Sequence, residues 1–171
     1  PREVVFVVDV SGSMEGFPLQ NAKLLVNELM SELRSTDTFN ILFFAGGSEV
    51  LSTTGSLPAS RANLQAARAL LDRTSHGGGT QLLEALERTF ALPRGHVDGV
   101  TRARAIVVLT DGMITAERAA FRLVHEHLGD ATLFAFGIHG SVNRHLIEAL
   151  AAAGRTEPCV VVDPAQARRA V

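Results

Sequence analysis

The sequence lacks several of the residue patterns that announce common functions. It has a single cysteine, Cys159, so an intramolecular disulfide is impossible and a thiolate metal cage is excluded. The apolar run around Cys159 predicts a buried, unreactive thiol. Lys23 is the only lysine, and the remaining basic charge is arginine. There is no basic surplus: 16 basic residues face 18 acidic ones, for a formal net charge of −2. Neither nucleic acid nor an anionic membrane surface is therefore an expected partner. No apolar run reaches the ~18 residues that a bilayer span requires. No signal-peptide pattern stands at the N-terminus. The chain begins almost inside an apolar strand, Val4–Val8, and reads as a piece of a larger protein.

What is present fits one soluble domain over residues 1–171, with 46% hydrophobic residues to build its core. Short β-branched runs alternate with longer helical periods. Strands are predicted at Val4–Val8, Phe39–Ala45, Glu49–Ser52, Ala105–Leu109, Thr132–Phe136 and Cys159–Val162. Helices are predicted from Pro18, over Ser60–Asp72, Gln81–Phe90, Thr115–Leu128 and Val142–Ala153, and again from Asp163-Pro164. Gly46-Gly47 reads as a hairpin turn and Pro93–Thr101 as a polar loop. Apolar strands separated by amphipathic helices predict an α/β fold: a doubly wound, mainly parallel six-stranded sheet, one short antiparallel edge strand, and helices on both faces. Ligands of such sheets bind beyond the carboxyl ends of the strands.

Three predicted strand-end connectors carry unusual polar residues. They are Asp9-Val10-Ser11-Gly12-Ser13, Gly78-Gly79-Thr80 and Thr110-Asp111-Gly112. Asp9, Ser11, Ser13, Thr80 and Asp111 supply two carboxylates and three hydroxyls. Oxygen-only donors select hard cations such as Mg²⁺, Mn²⁺ or Ca²⁺. Gly12 and Gly16 are expected to provide the positive φ angles of a turning loop. With so few anionic donors the cation stays electrophilic and keeps a position for water or an external carboxylate. Each residue alone has an ordinary reading: Asp9 as a strand-end turn, Ser11 and Ser13 as loop serines, Thr80 as a helix N-cap, Asp111 as a turn residue. Their joint placement on three connectors of one sheet favours the metal site.

The pattern Asp9-x-Ser11-x-Ser13, with Thr80 after glycines and Asp111 in a Thr-Asp-Gly turn, resembles the metal-ion-dependent adhesion site of von Willebrand factor A (VWA) domains. Phe6–Met14, Lys23, Asp37–Phe43, Gly78–Leu86, Val107–Gly112 and Phe134–Leu146 resemble the subgroup of inter-alpha-trypsin inhibitor heavy chains and their bacterial relatives. The resemblance implies a Rossmann-like VWA fold and a non-catalytic protein-binding role. It also implies Mg²⁺ (or Mn²⁺ or Ca²⁺) held directly by Ser11 and Ser13. Thr80 would bind directly or through water, and Asp9 and Asp111 through water or from behind the first ligands. A partner's Asp or Glu would complete the octahedron. An extracytoplasmic or cell-surface location is implied in the same way. His139 departs from the pattern, standing where relatives often carry a second glycine.

Two other functions compete. A haloacid-dehalogenase-type phosphotransferase would use Asp9 as nucleophile, but Ser11 stands where that family has Asp or Thr, and its lysine is missing. No phosphate-binding G-x-x-x-x-G-K-[ST] loop exists, no His, Cys or Lys base stands within the connectors, and His76, close to Thr80, reads as a solvated loop histidine. A structural VWA module with a metal and no partner is the other. Asp9 is expected in an exposed loop, and the surface around Met14–Phe17, His76–Gly79 and Met113–Ile114 is expected to set partner choice. His125 and His127, two apart, make a poor metal pair. Phe39, Phe43, Phe44, Phe134 and Phe136 are expected in the core, Asn143 at a helix start, and Asp37 closing the loop into strand two.

Overall fold

The first strand, β1 (Arg2–Asp9), is buried at every position after Arg2. Val4, Phe6 and Val8 enter one core and Val5 and Val7 the other, as the two-residue repeat of a strand requires. The computed structural model describes residues 1–97, 100–112, 117–138 and 142–161. After β1 come a 3-10 turn (Gly12–Met14), α1 (Phe17–Ser31), β2 (Thr38–Phe44), β3 (Ser48–Val50) and β4 (Leu57–Pro58). Then follow α2 (Arg61–Arg73), α3 (Leu82–Ala91), β5 (His96–Val97), β6 (Val100–Thr101) and β7 (Ala103–Thr110). The described chain ends with α4 (Glu117–His127), β8 (Thr132–Ile138), α5 (Arg144–Ala153) and β9 (Cys159–Val161).

The main sheet runs β3-β2-β1-β7-β8-β9, with β4 also paired to β2. β2, β1, β7, β8 and β9 are parallel, and β3 and β4 run antiparallel to β2. Side chains of α1 and α2 (Leu25, Val26, Ala67, Leu71) fill one face. Those of α3, α4 and α5 (Leu86, Val124, Leu150) fill the other. The doubly wound, mainly parallel class is as the sequence predicts. From β1 the chain winds outward to β2 and β3, then returns to β7 on the other side of β1. That reversal makes the carboxyl ends of β1 and β7 a topological switch point, the place where such sheets form a ligand crevice.

Some details differ from the sequence expectation. Among the described residues the sheet has seven strands, because the segment after β3 is turned back toward β2 by a side chain. Asn40 donates Nδ2–H to the Ser52 carbonyl (2.8 Å) and accepts the Ser52 N–H (3.2 Å), and the chain re-pairs as β4. The predicted polar loop Pro93–Thr101 contains the β5–β6 hairpin. Phe39, Phe43, Phe44 and Phe136 are buried, but Phe134 is 38% exposed, lining a groove between α1 and β8 with Val4, Phe6 and Phe136. Cys159 is half-buried on the edge strand β9, where burial pushes its thiol up. Expectations for Met113–Ile114, the start of the Thr115 helix, His139, Val162 and the helix from Asp163 lie outside the described residues.

The end of the sheet away from the crevice is locked by charge. The Arg104 guanidinium donates to both oxygens of Glu3 at 3.0 Å and to the carbonyls of Leu92 and Pro93. Ser56 donates to Glu3 Oε1 at 2.6 Å. Burial pushes the Glu3 carboxyl up, but these donors outweigh it and hold Glu3 low. Asp37 closes the loop into β2 by accepting the Arg2 and Arg34 N–H groups, each at 3.0 Å. Among the described residues no helix is long and apolar enough to cross a membrane.

Candidate metal centre

The register of the central strands brings the first and third connectors together. Val8 pairs with Leu109, so Asp9 and Thr110 leave the sheet side by side. The Thr110 hydroxyl donates to Asp9 Oδ2 at 2.6 Å, and the Ser11 N–H donates to Asp9 Oδ1 at 2.9 Å. The second bond is an Asx turn, which bends the chain right after β1. It brings Ser11 Oγ to 3.1 Å from Ser13 Oγ. The Gly112 N–H then donates back to Thr110 Oγ1 at 3.0 Å.

The second connector is pinned to the first by backbone alone. The Gly77 N–H donates to the Val10 carbonyl (2.9 Å), and the Gly12 N–H donates to the Gly78 carbonyl (3.1 Å). Downstream, the Gln81 N–H donates to the Ala45 carbonyl (2.8 Å). Gly78 has φ 80°, and a Cβ there would sit 3.2 Å from the Gly46 nitrogen. Backbone strain and the close approach of the β2–β3 turn both demand glycine. Of the two glycines expected at positive φ in the first connector, Gly16 is at 77° and Gly12 is not. Gly12 contributes its N–H instead.

The N-cap of α3 is Gln81, and it makes no side-chain capping bond. Thr80 therefore does not serve as the cap that its position before a helix predicts. Its side chain is half-buried beside the pinned glycines. The third connector is held by Asn143, which the sequence predicts only as a helix start. Asn143 caps α5 through Leu146 N–H (3.2 Å), donates Nδ2–H to Glu117 (2.6 Å) and gives its backbone N–H to the Asp111 carbonyl (3.3 Å). Gly112 has φ 80° and lies so close that a Cβ would stand 2.9 Å from Asn143 Cβ.

Burial differs from expectation at two positions. Asp9 is fully buried and not in an exposed loop, because it is still the last residue of β1. Met14 is also fully buried in the α1-side core and offers no surface. Ser13 and the 76–79 segment are exposed, and Phe17 is 40% exposed. His76 approaches Glu15 to 3.7 Å across the mouth between the first two connectors. Burial pushes the Asp9 carboxyl up, and the nearby Asp111 carboxylate adds to this, against the hydrogen bonds from Ser11 and Thr110. A cation beside this pair would relieve both destabilising effects.

The donor set fits a hard cation. Among the described residues no group of three His, Cys, Asp or Glu side chains could hold a metal. An ion here would take hydroxyls for much of its protein coordination, with the two carboxylates supplying charge.

A family model described as the von Willebrand factor type A domain matches residues 2–156. The chain belongs to the von Willebrand factor type A domain family. Over 155 residues, 89% of its length, it is 33% identical to a VWA domain-containing protein of Dictyostelium discoideum, of which it spans 7%. Over 116 residues, 65% of its length, it is 36% identical to inter-alpha-trypsin inhibitor heavy chain H1 of Mesocricetus auratus, spanning 12% of that protein. The VWA chain thus corresponds to a small part of much longer relatives. Among solved structures it is similar to a von Willebrand factor type A protein of Catenulispora acidiphila (TM-score 0.85, 20% identity, 99% of this chain, 40% of that one). It is also similar to the manganese-loaded TRAP protein of Plasmodium vivax (TM-score 0.67, 17% identity, 98% of this chain, 70% of that one). At these identities the structural likeness establishes the VWA fold.

Proposed function

We propose that this VWA domain is a non-catalytic binding module that grips a partner protein through a divalent cation, Mg²⁺ in the first instance. Ser11, Ser13 and Thr80 would hold the ion, with Asp9 and Asp111 providing negative charge through water or from behind these ligands. An Asp or Glu carboxylate of the partner would take the remaining position. The observation that carries this reading is the meeting of three connectors. Two backbone hydrogen bonds tie the second connector to the first, and the Thr110–Asp9 bond ties the third to it. The manganese carried by a protein of the same fold is in keeping with a cation here. By family resemblance the domain would work outside the cytoplasm or at a cell surface.

A phosphotransferase using Asp9 as nucleophile is disfavoured by the same geometry. Asp9 is fully buried, and both its oxygens already accept hydrogen bonds. A nucleophile must be aimed at an accessible substrate, and Asp9 has no exposed surface. A VWA module that binds metal but no partner is separated by the experiment itself.

Calorimetry of metal-stripped protein with MgCl₂, with melting curves in Mg²⁺ and in chelator, tests the cation. Binding and a raised Tm are expected, and identical curves at millimolar Mg²⁺ would contradict it. An aspartate-containing peptide added to the Mg²⁺-loaded domain tests the carboxylate grip, and release of heat only in the presence of metal is expected. Turnover of a generic phosphoester, lost in Asp9→Asn, would favour the phosphotransferase.

A further inference from the structure

Lys23 reaches from α1 to the end of the neighbouring helix α2. Its Nζ donates to the backbone carbonyls of Thr74 (2.7 Å) and Asp72 (3.1 Å). Thr74 is the C-cap of α2, and the last carbonyls of a helix have no donors within it. An ammonium at that place also meets the negative end of the helix dipole. A compact group with three rotatable donors suits two neighbouring carbonyls. Apart from its histidines, the chain's other basic side chains are all arginine.

The two ends of this clamp belong to the candidate site. Lys23 lies on α1, which begins directly after the first connector. Thr74 opens the segment that runs through Ser75, His76 and three glycines to Thr80. Glycines have no side chains with which to choose a conformation. The segment therefore takes its shape from its anchors. Within it Gly77 and Gly78 are tied to Val10 and Gly12; downstream the anchor is the Gln81–Ala45 bond, and upstream, where the segment leaves α2, it is Lys23.

We propose that Lys23 is a positioning residue for the cation site. By clamping the end of α2 to α1, it holds the start of the segment where the Gly77–Val10 and Gly12–Gly78 bonds can form, and so helps set where Thr80 presents its hydroxyl. Lys23 bonds to none of the five candidate ligands and acts through the connector. This inference rests on the metal reading above.

The test compares the parent with Lys23→Met, which keeps the stem and removes the donors, and Lys23→Arg, which restores a cation. Amide hydrogen exchange at Gly77, Gly78 and Gly79 is measured in metal-stripped protein, and Mg²⁺ affinity by calorimetry. Lys23→Met is expected to speed exchange at these amides and to weaken Mg²⁺ binding by about tenfold, the usual scale for residues that orient metal ligands. Lys23→Arg is expected to recover most of the loss. Unchanged Mg²⁺ affinity in Lys23→Met overturns the proposal, even if Tm falls, because Lys23 would then only cap α2. A parent that takes up no Mg²⁺ overturns the metal reading, and the cation role of Lys23 with it. Unchanged exchange at 77–79 overturns the clamp alone, with or without metal. Should Lys23→Met fail to fold, Lys23→Gln, which keeps a neutral donor, takes its place under the same criteria.

Discussion

Thr110 donates its hydroxyl to Oδ2 of Asp9 over 2.6 Å, joining the ends of two neighbouring strands that are 101 positions apart in sequence. The same hydroxyl accepts the Gly112 N–H. One small side chain therefore fixes both the Asp9 carboxylate and the turn that carries Asp111.

Thr110→Val keeps this shape and removes the donor. It leaves a buried carboxylate oxygen and the Gly112 N–H unpaired, which costs about 1–3 kcal/mol. Thermal unfolding followed by circular dichroism should show the loss. Calorimetry should show Mg²⁺ affinity weakened by about tenfold or more. Thr110→Ser should behave close to the parent. Full stability in Thr110→Val would mean the bond contributes nothing.

Ser13 separates function from folding better than Asp9 does. Asp9 is fully buried with both oxygens bonded, so Asp9→Ala should lose stability along with metal. Ser13 is exposed. Ser13→Ala should change stability by less than about 0.5 kcal/mol and abolish metal-dependent capture of an acidic peptide. Undiminished capture by Ser13→Ala would remove Ser13 from the ligand set.

Much of the fold was legible because its central strands are long and apolar on both faces. β1 and β7 need no partner to be recognised as buried strands, and the polar residues that follow them mark the crevice. β4 and the β5–β6 hairpin were missed because two-residue strands carry no periodicity. The exposure of Phe134 was hidden for a different reason: strand alternation gives the face of a side chain, not what covers it. At the site, the five candidate ligands were visible as types and spacings. What orients them was not. Lys23 to Thr74, Thr110 to Asp9 and Asn143 to Asp111 are contacts between distant segments, and no local pattern announces them. The burial of Asp9 was misjudged because a carboxylate before a turn looks exposed until its strand is seen to continue through it.

The Glu3–Arg104 pair should dominate stability at the opposite end of the sheet. Their side chains are 0% and 3% exposed. Arg104→Met leaves the Glu3 carboxylate buried without its counter-charge and should cost about 3–5 kcal/mol. Urea unfolding measures this. A Glu3→Leu/Arg104→Met double variant should be more stable than Arg104→Met alone, since it removes the stranded charge. Additive losses would contradict that explanation.

Asp37 and Glu3 predict the acid response. Burial pushes the Asp37 carboxyl up, but the N–H groups of Arg2 and Arg34 and the Arg2 guanidinium outweigh it and hold it below its ordinary range. Glu3 is held low as well. A folded pKa below the unfolded value of about 4 gives stability that is complete above that pH and is lost as pH falls through the folded value. Denaturation midpoints should fall with pH below about 4, and Asp37→Asn should flatten that slope while lowering stability at neutral pH. An unchanged slope would remove Asp37 from the acid response.

The central claim is that three connectors serve one ion, and paramagnetic NMR tests it most directly. Substoichiometric Mn²⁺ added to ¹⁵N-labelled protein should broaden the amide signals of Ser11, Ser13, Thr80 and Asp111 together, with Mg²⁺ restoring them by competition. Broadening confined to a single connector, or centred on unrelated surface carboxylates such as Glu49 or Glu148, would contradict the account.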